Sequence, residues 1–233
     1  MADQLSCVGF DPANMDAFYD WAWKNKRVTD MEDGLYVLLG AGEHVGCWLS
    51  VDRETQDILD WDVHYASRLR QDCAFVRDVE LDAHGQSGII CVALHPGQER
   101  ETLVNLSVPV LAPWAEREEG SPGLLQTACY AEWVEEAPET TATSLRAEED
   151  ENVADMVCVV QKGERCRNPQ SGRSFWHMVV ECEGLDMDLL AEEAAFDALP
   201  VPGTVLRTRV CLTADVEAGV TGESPDEAAV REL

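Results

Sequence analysis

The chain has 233 residues, of which 45% are hydrophobic and 27% charged, and its formal net charge at pH 7 is −28. A chain of this length and composition is expected to form one large globular domain or two small ones. Affinity for nucleic-acid phosphates and for anionic lipid surfaces comes from Lys and Arg, so the acidity argues against both kinds of partner. It leaves open a protein partner or self-association, and mimicry of nucleic acid.

The N-terminal stretch lacks the basic region and apolar run of a secretory signal, and no segment approaches the roughly 18 apolar residues that span a bilayer. The nine cysteines include no C-x-x-C pair, and most of them lie inside apolar runs. Cysteines in this pattern are typically buried and reduced. We therefore expect a cytoplasmic protein with no membrane association and no bound cofactor.

The clearest helical pattern covers residues 10–28. Asp11 is suited to the N-cap and Pro12 to the first helical position, and Met15 and Phe18 lie on one face. The sequence therefore predicts one strong N-terminal helix.

Alternating or apolar segments bounded by turn residues then predict a series of strands. They cover residues 34–42, 44–52, 57–67, 73–82, 87–96, 101–113 and 124–136. The first two segments are close enough to form a hairpin, and so are the fourth and fifth.

If "LSCVGF" (residues 5–10) is a strand, the order over about residues 4–66 is βαβββ. This order resembles that of the vicinal-oxygen-chelate modules, which pair up and often hold a metal with His and Glu near strand ends. The resemblance implies a metal site at His64, with Asp62 or Asp60 beside it.

Residues 135–152 are rich in acids, Thr and Ser and contain almost no large apolar side chain. Such a segment buries too little surface to offset the entropy lost on ordering. We therefore predict an α+β domain at residues 1–134, an acidic linker at 135–152, a small β-rich domain at 153–216 and an acidic tail at 217–233.

The second domain is expected to contain a long hairpin, a third strand at 185–190, a short helix at 191–199 and a last strand at 204–216. Over residues 153–216 this order resembles an OB-fold barrel whose fifth strand is missing or very short. An open barrel or sheet closed by the first domain is the alternative. The expected fold class is thus α+β, mostly antiparallel β with one strong N-terminal helix and an OB-like or open second domain.

A cluster of positive charge lies on the predicted hairpin. Lys162, Arg165, Arg167 and Arg173 fall within twelve residues, and Trp176, His177, Arg207 and Arg209 complete the candidate binding surface. Cations and aromatic rings on one face of such a barrel typically bind a ligand. Alternatively, the arginines form ion pairs with the protein's own carboxylates.

The chain contains no nucleophile-elbow motif and no phosphate-binding glycine motif, so no reaction is assigned. The sequence favours a non-catalytic binding or interaction protein of unassigned ligand. It would act through the basic hairpin at 162–177 or through its acidic surface. Two alternatives are a small-molecule or metal-dependent enzyme with an N-terminal pocket near His64, and an acidic inhibitor that mimics nucleic acid.

Overall fold

The structure is a computed structural model of the chain. It describes residues 4–11, 13, 26–31, 34–40, 44–55, 57–67, 69, 71–82, 87–94, 102–109, 111, 120, 122–148 and 151–216. The described part of the chain is nearly all β, with thirteen strands, one four-residue α-helix and one 3-10 turn. The predicted α+β class is therefore wrong, because paired strands supply most of the described core residues. The predicted tail at 217–233 lies outside the described residues.

The N-terminal region differs from its prediction in two places. Residues 12 and 14–25 of the predicted helix lie outside the described residues, but Arg27 and Val28 at its end belong to a strand. The segment predicted as the first strand instead contains helix α1, Gln4–Cys7. A short apolar run fits either element, so its pattern could not decide between them.

The first sheet has four antiparallel strands in chain order. They are β1 (Arg27–Met31), β2 (Gly34–Gly40), β3 (Val45–Val51) and β4 (Ile58–Tyr65). The pairing of β2 with β3 confirms the first predicted hairpin.

The second sheet has nine strands. They are β5 (Gln71–Leu81), β6 (Gly88–Leu94), β7 (Thr102–Val108), β8 (Pro122–Glu136), β9 (Ser144–Ala147), β10 (Val153–Arg167), β11 (Ser174–Cys182), β12 (Leu185–Glu192) and β13 (Val205–Val216). The pairing of β5 with β6 confirms the second predicted hairpin. The short helix expected at 191–199 is reduced to a 3-10 turn, Glu193–Ala195.

Five of these strands form a closed barrel. Its strand order is β8, β12, β11, β10 and β13, and β13 pairs back with β8. The contact between β12 and β8 is parallel, and the other four are antiparallel. The barrel that was expected to be open or to lack a strand is therefore closed, and β8 from before the predicted linker supplies the closing strand.

The predicted division into domains stays a prediction, but the structure adds two facts about the segment at 135–152. The end of β8 lies in it, and so does β9, which pairs with β10. Strands from both sides of this segment thus belong to one sheet.

Part of the barrel wall, including the middle of β11 and of β12, is buried on both faces. On β8, Cys129 packs in the core that includes the barrel interior, whereas Ala128 and Tyr130 pack in a second core. That second core is shared with the first sheet and with α1. Burial on both faces explains why the barrel strands read as nearly continuous apolar runs.

Eight of the nine cysteines lie among the residues whose side chains are described, and all eight are free thiols. Within the described ranges, no helix is long and apolar enough to cross a bilayer. The cytoplasmic location stays a prediction.

Candidate functional site

The turn between β10 and β11 is held against the segment that follows α1. Asn168 is fully buried, its side-chain oxygen accepts from the backbone of the turn, and its Nδ2 donates to the Val8 carbonyl at 2.9 Å. Ser171 Oγ donates to the Gly9 carbonyl at 2.5 Å. Gly9 has φ +73°, and a Cβ there would lie 3.0 Å from the Arg173 carbonyl oxygen. The close approach therefore requires glycine.

A β-bulge in β10 determines which side chains face the first sheet. The register shifts between Val160 and Lys162, so the even-numbered residues leave the barrel interior at that point. Lys162, Glu164 and Cys166 then lie on the outer face, together with the β11 residues of the second core. Re-aiming side chains is a recurrent use of bulges near functional sites.

These outer-face residues line a cavity of about 420 Å³ between the hairpin and the first sheet. Its lining residues are His44, Val45, Tyr65, Leu69, Lys162, Glu164, Cys166, Arg167, Pro169, Phe175, His177, Val179 and Asp188. Cavities of this size hold small organic ligands.

His177 is the centre of a buried polar network in this cavity. Its Nε2 lies 2.6 Å from Asp188 Oδ1, and its Nδ1 lies 3.2 Å from Glu164 Oε1. Asp188 is 2% exposed and His177 is 9% exposed. Ser67 Oγ donates to the other oxygen of Asp188, and the Tyr65 ring lies 5.2 Å from the imidazole, centre to centre.

The network favours the charged form of the imidazole. Burial alone lowers the pKa of His177, but the hydrogen bonds and charges of Asp188 and Glu164 outweigh burial and raise that pKa overall. The two ring nitrogens of His177 face one carboxylate on β10 and one on β12, so the side chain links β10, β11 and β12.

Cys166 completes a group of three potential metal ligands. One ligand atom each from Glu164, Cys166 and His177 lies within 4.8 Å of the other two. Burial and the nearby Glu164 charge raise the pKa of the Cys166 thiol to about 11. The free thiol is therefore not an activated nucleophile.

The cations of the basic hairpin are divided between two places. Arg165 forms an ion pair with Glu193, and Arg173 Nη1 lies 3.2 Å from Asp11 Oδ1. Both arginines line a separate groove of about 620 Å³. Arg167 lines both the groove and the cavity, and its Nε donates to the Gly172 carbonyl at 2.8 Å.

Three other residues of the predicted binding surface line neither the groove nor the cavity. Trp176 faces the barrel core, is 7% exposed and donates from Nε1 to the Glu193 carbonyl at 3.0 Å. Arg207 lies 3.6 Å from Glu135. Arg209 forms ion pairs with three carboxylates, at 3.3 Å to Glu132, 2.5 Å to Glu148 and 3.7 Å to Asp155.

The residues of the predicted metal site near the N-terminus make structural contacts. His64 Nδ1 lies 3.3 Å from Asp215 Oδ2, and its ring meets the Trp48 ring edge-on at 5.8 Å. Asp62 Oδ2 accepts from Ser107 Oγ at 3.1 Å. Metal binding at His64 and Asp62 stays a prediction.

Sequence reasoning missed part of the network. A hairpin centred on the turn at 168–173 pairs Glu164 with His177, so the contact between these two side chains could be predicted from the position of the turn. No sequence pattern indicated the bulge that brings Cys166 into the cavity. Nor did any pattern indicate that Asp188 and Ser67, which come from distant parts of the chain, contact His177 or each other.

Comparison with protein-family models, with curated proteins and with solved structures gave no significant match. The interpretation of the site therefore depends on its geometry. Small-ligand sites combine apolar walls with a few converging polar groups, and shifted pKa values cluster at such sites. The cavity around His177 has all three features.

Proposed function

We propose that this protein is a binding protein that holds a small organic anion in the cavity around His177. The ligand class is a carboxylate or a phosphate monoester with an apolar part. The proposal depends most on Lys162 and Arg167, which both line this cavity and have no carboxylate partner among the described residues. The cations on the groove side of the hairpin, by contrast, are neutralised by Asp11 and Glu193.

The charge at the cavity favours an anion despite the charge of the whole chain. Glu164 and Asp188 face the two ring nitrogens of His177 and raise its pKa, which favours the positive form of the imidazole beside these two carboxylates. Lys162 and Arg167 add two positive charges to the same lining. The formal net charge of the whole chain is −28, but charges farther than about 8 Å are screened at physiological ionic strength. The nearby cations therefore dominate the electrostatic potential that a bound ligand experiences.

Arg167 is the best-placed anchor. The bond from its Nε to the Gly172 carbonyl fixes the guanidinium and leaves the other donors available. A fixed guanidinium loses little rotamer entropy when it binds a carboxylate or phosphate. Lys162, on the exposed part of β10, supplies a mobile second charge.

The remaining walls suit the apolar part of such a ligand. Val45, Tyr65, Leu69, Phe175 and Val179 line the same cavity. An aromatic acid would bury its ring against these side chains while its charged group meets Arg167. Neutral analogues would retain the apolar contacts and lose the charge-assisted hydrogen bonds.

Calorimetric titration with three probes of similar shape tests the proposal. Benzoate and phenyl phosphate carry the two candidate anionic groups, and benzamide is the neutral control. We expect at least one of the two anions to bind, and benzamide to bind much more weakly. The more strongly bound anion identifies the charged group. Benzamide binding as tightly as both anions would contradict the proposal.

A matched pair of variants locates the binding. Arg167→Gln removes the proposed anchor, whereas Arg165→Gln removes the same charge from the same hairpin on the groove side. Loss of a charge-assisted hydrogen bond of about 1.5–3 kcal/mol weakens binding by roughly tenfold or more. We expect that loss for Arg167→Gln and a change of less than about twofold for Arg165→Gln, because that cation lies outside the cavity. Equal losses of affinity in the two variants would show that the anion responds only to the total charge of the hairpin and not to Arg167 in the cavity.

A further inference from the structure

A group of three potential metal ligands lies within the cavity, and the inference drawn from it does not depend on binding of an organic anion. The atoms involved are a carboxylate oxygen of Glu164, Sγ of Cys166 and a ring nitrogen of His177. Tetrahedral zinc has ligands at about 2.0–2.3 Å, so two of its ligand atoms lie roughly 3.3–3.6 Å apart. The Glu164 Oε1 to His177 Nδ1 distance is already 3.2 Å, and the Cys166 Sγ lies within 4.8 Å of both other ligand atoms.

The backbone supplies two of these ligands from one strand and the third from its neighbour. Glu164 and Cys166 are two residues apart on β10, so their side chains leave the strand on the same face. His177 is the direct cross-strand partner of Glu164 on β11. A paired hairpin therefore holds the three Cα positions fixed, and a metal needs only side-chain adjustment.

Asp188 provides an independent sign of a metal centre. Histidines that bind metals usually donate their other ring N–H to a carboxylate, which fixes the tautomer and the ring orientation. Here Nε2 lies 2.6 Å from the buried Asp188, whose second oxygen accepts from Ser67. That arrangement fixes the ring with Nδ1 directed at Glu164.

We propose that Glu164, Cys166 and His177 Nδ1 bind one divalent transition-metal ion of the zinc type, with a fourth coordination position open to the cavity. A sulfur, nitrogen and oxygen donor set selects zinc or cobalt over magnesium and calcium, which take oxygen ligands. The metal replaces the Nδ1 and thiol protons, since ligands must be deprotonated to coordinate.

Cobalt titration of the full chain, stripped of metal with a chelator, tests this proposal with no organic ligand present. We expect one Co²⁺ per chain, visible bands of a tetrahedral ion and a near-ultraviolet thiolate-to-cobalt band. Zn²⁺ should displace the ion and abolish the bands, and Mg²⁺ should not. A spectrum without the thiolate band, or one that is octahedral, would overturn the proposal.

Matched cysteine variants assign the sulfur. Cys166→Ser should abolish the thiolate band, whereas Cys91→Ser, which changes another partly buried cysteine on β6, should leave it intact. Asp188→Asn should weaken metal binding by about 10- to 100-fold through loss of the outer carboxylate. The same thiolate band in Cys166→Ser and wild type would overturn the assignment.

X-ray absorption of the wild-type zinc complex gives an answer that needs no variant to fold. We expect one sulfur at about 2.3 Å and nitrogen or oxygen ligands at about 2.0–2.2 Å. A shell with no sulfur, or with two or more, would overturn the site. Because no organic anion is added, failure of the metal site and failure of anion binding are separate results.

Discussion

Replacing Asp188 by alanine should destabilise the fold far more than a surface aspartate on the same strand. Asp188 is 2% exposed and contacts His177, which is 9% exposed. Without Asp188 the buried imidazole keeps only the contact with Glu164, whose side chain is 68% exposed and therefore compensates little. Removing one partner of a buried ion pair typically costs about 3–5 kcal/mol.

The expected size of the effect can be measured by urea and thermal unfolding in the presence of a chelator. A loss of about 3–5 kcal/mol corresponds to a melting temperature lower by about 6–20 °C, at roughly 2–4 °C per kcal/mol for a chain of this size. Asp186→Ala is the matched control, since Asp186 is exposed on the same strand β12. Its unfolding free energy should change by less than about 0.5 kcal/mol.

A double-mutant cycle with His177→Gln then tests the stated cause. The glutamine carries no charge, so Asp188→Ala should cost less in that background, by about 0.5–3 kcal/mol. Equal costs for Asp188→Ala and Asp186→Ala, or no coupling to His177, would refute the account of a buried charged pair that stabilises the fold.

Two further perturbations test the packing. Gly9→Ala should lower the urea midpoint of unfolding more than Gly203→Ala does. Both glycines have positive φ, but of the two only Gly9 would place a Cβ against backbone, 3.0 Å from the Arg173 carbonyl oxygen. The same urea midpoint for both variants would contradict the close approach. Iodoacetamide at neutral pH should modify Cys91 faster than Cys158, and mass spectrometry follows both reactions. The Cys158 side chain is fully buried, and burial raises its pKa to about 12, so little reactive thiolate is accessible there. Equal rates would show that the barrel core opens freely.

The strands of this protein could be predicted from sequence, but their arrangement could not. Alternation and turn residues indicated both hairpins and the long strands of the barrel, because these signals are local. The closing strand β8 pairs with β12 and β13, which follow it by 49 or more positions along the chain. No local pattern reports such a pairing, so the sequence left open whether the barrel lacks its fifth strand or is closed by the first domain.

The fold class was mistaken because one helical pattern was given too much weight. The amphipathic spacing at 10–28 was the strongest local signal, yet strands contain most of the described residues. Secondary-structure propensity is a weak guide where tertiary pairing decides the architecture.

The candidate site was partly predictable. The basic hairpin and His177 were singled out, and the structure places Lys162, Arg167 and His177 around one cavity. The bulge after Val160 reverses which residues face that cavity, and a one-residue slip of this kind leaves no trace in composition.

The side-chain resonances of the arginines test the central claim most directly. A ¹H–¹⁵N spectrum of the Nε–H groups, recorded while benzoate or phenyl phosphate is added, reports which guanidinium the anion approaches. We expect the Arg167 signal to shift and saturate, and the Arg146 signal on β9 to stay in place. An unmoved Arg167 signal with both anions, or equal shifts at Arg167 and Arg146, would contradict anion binding in the cavity around His177.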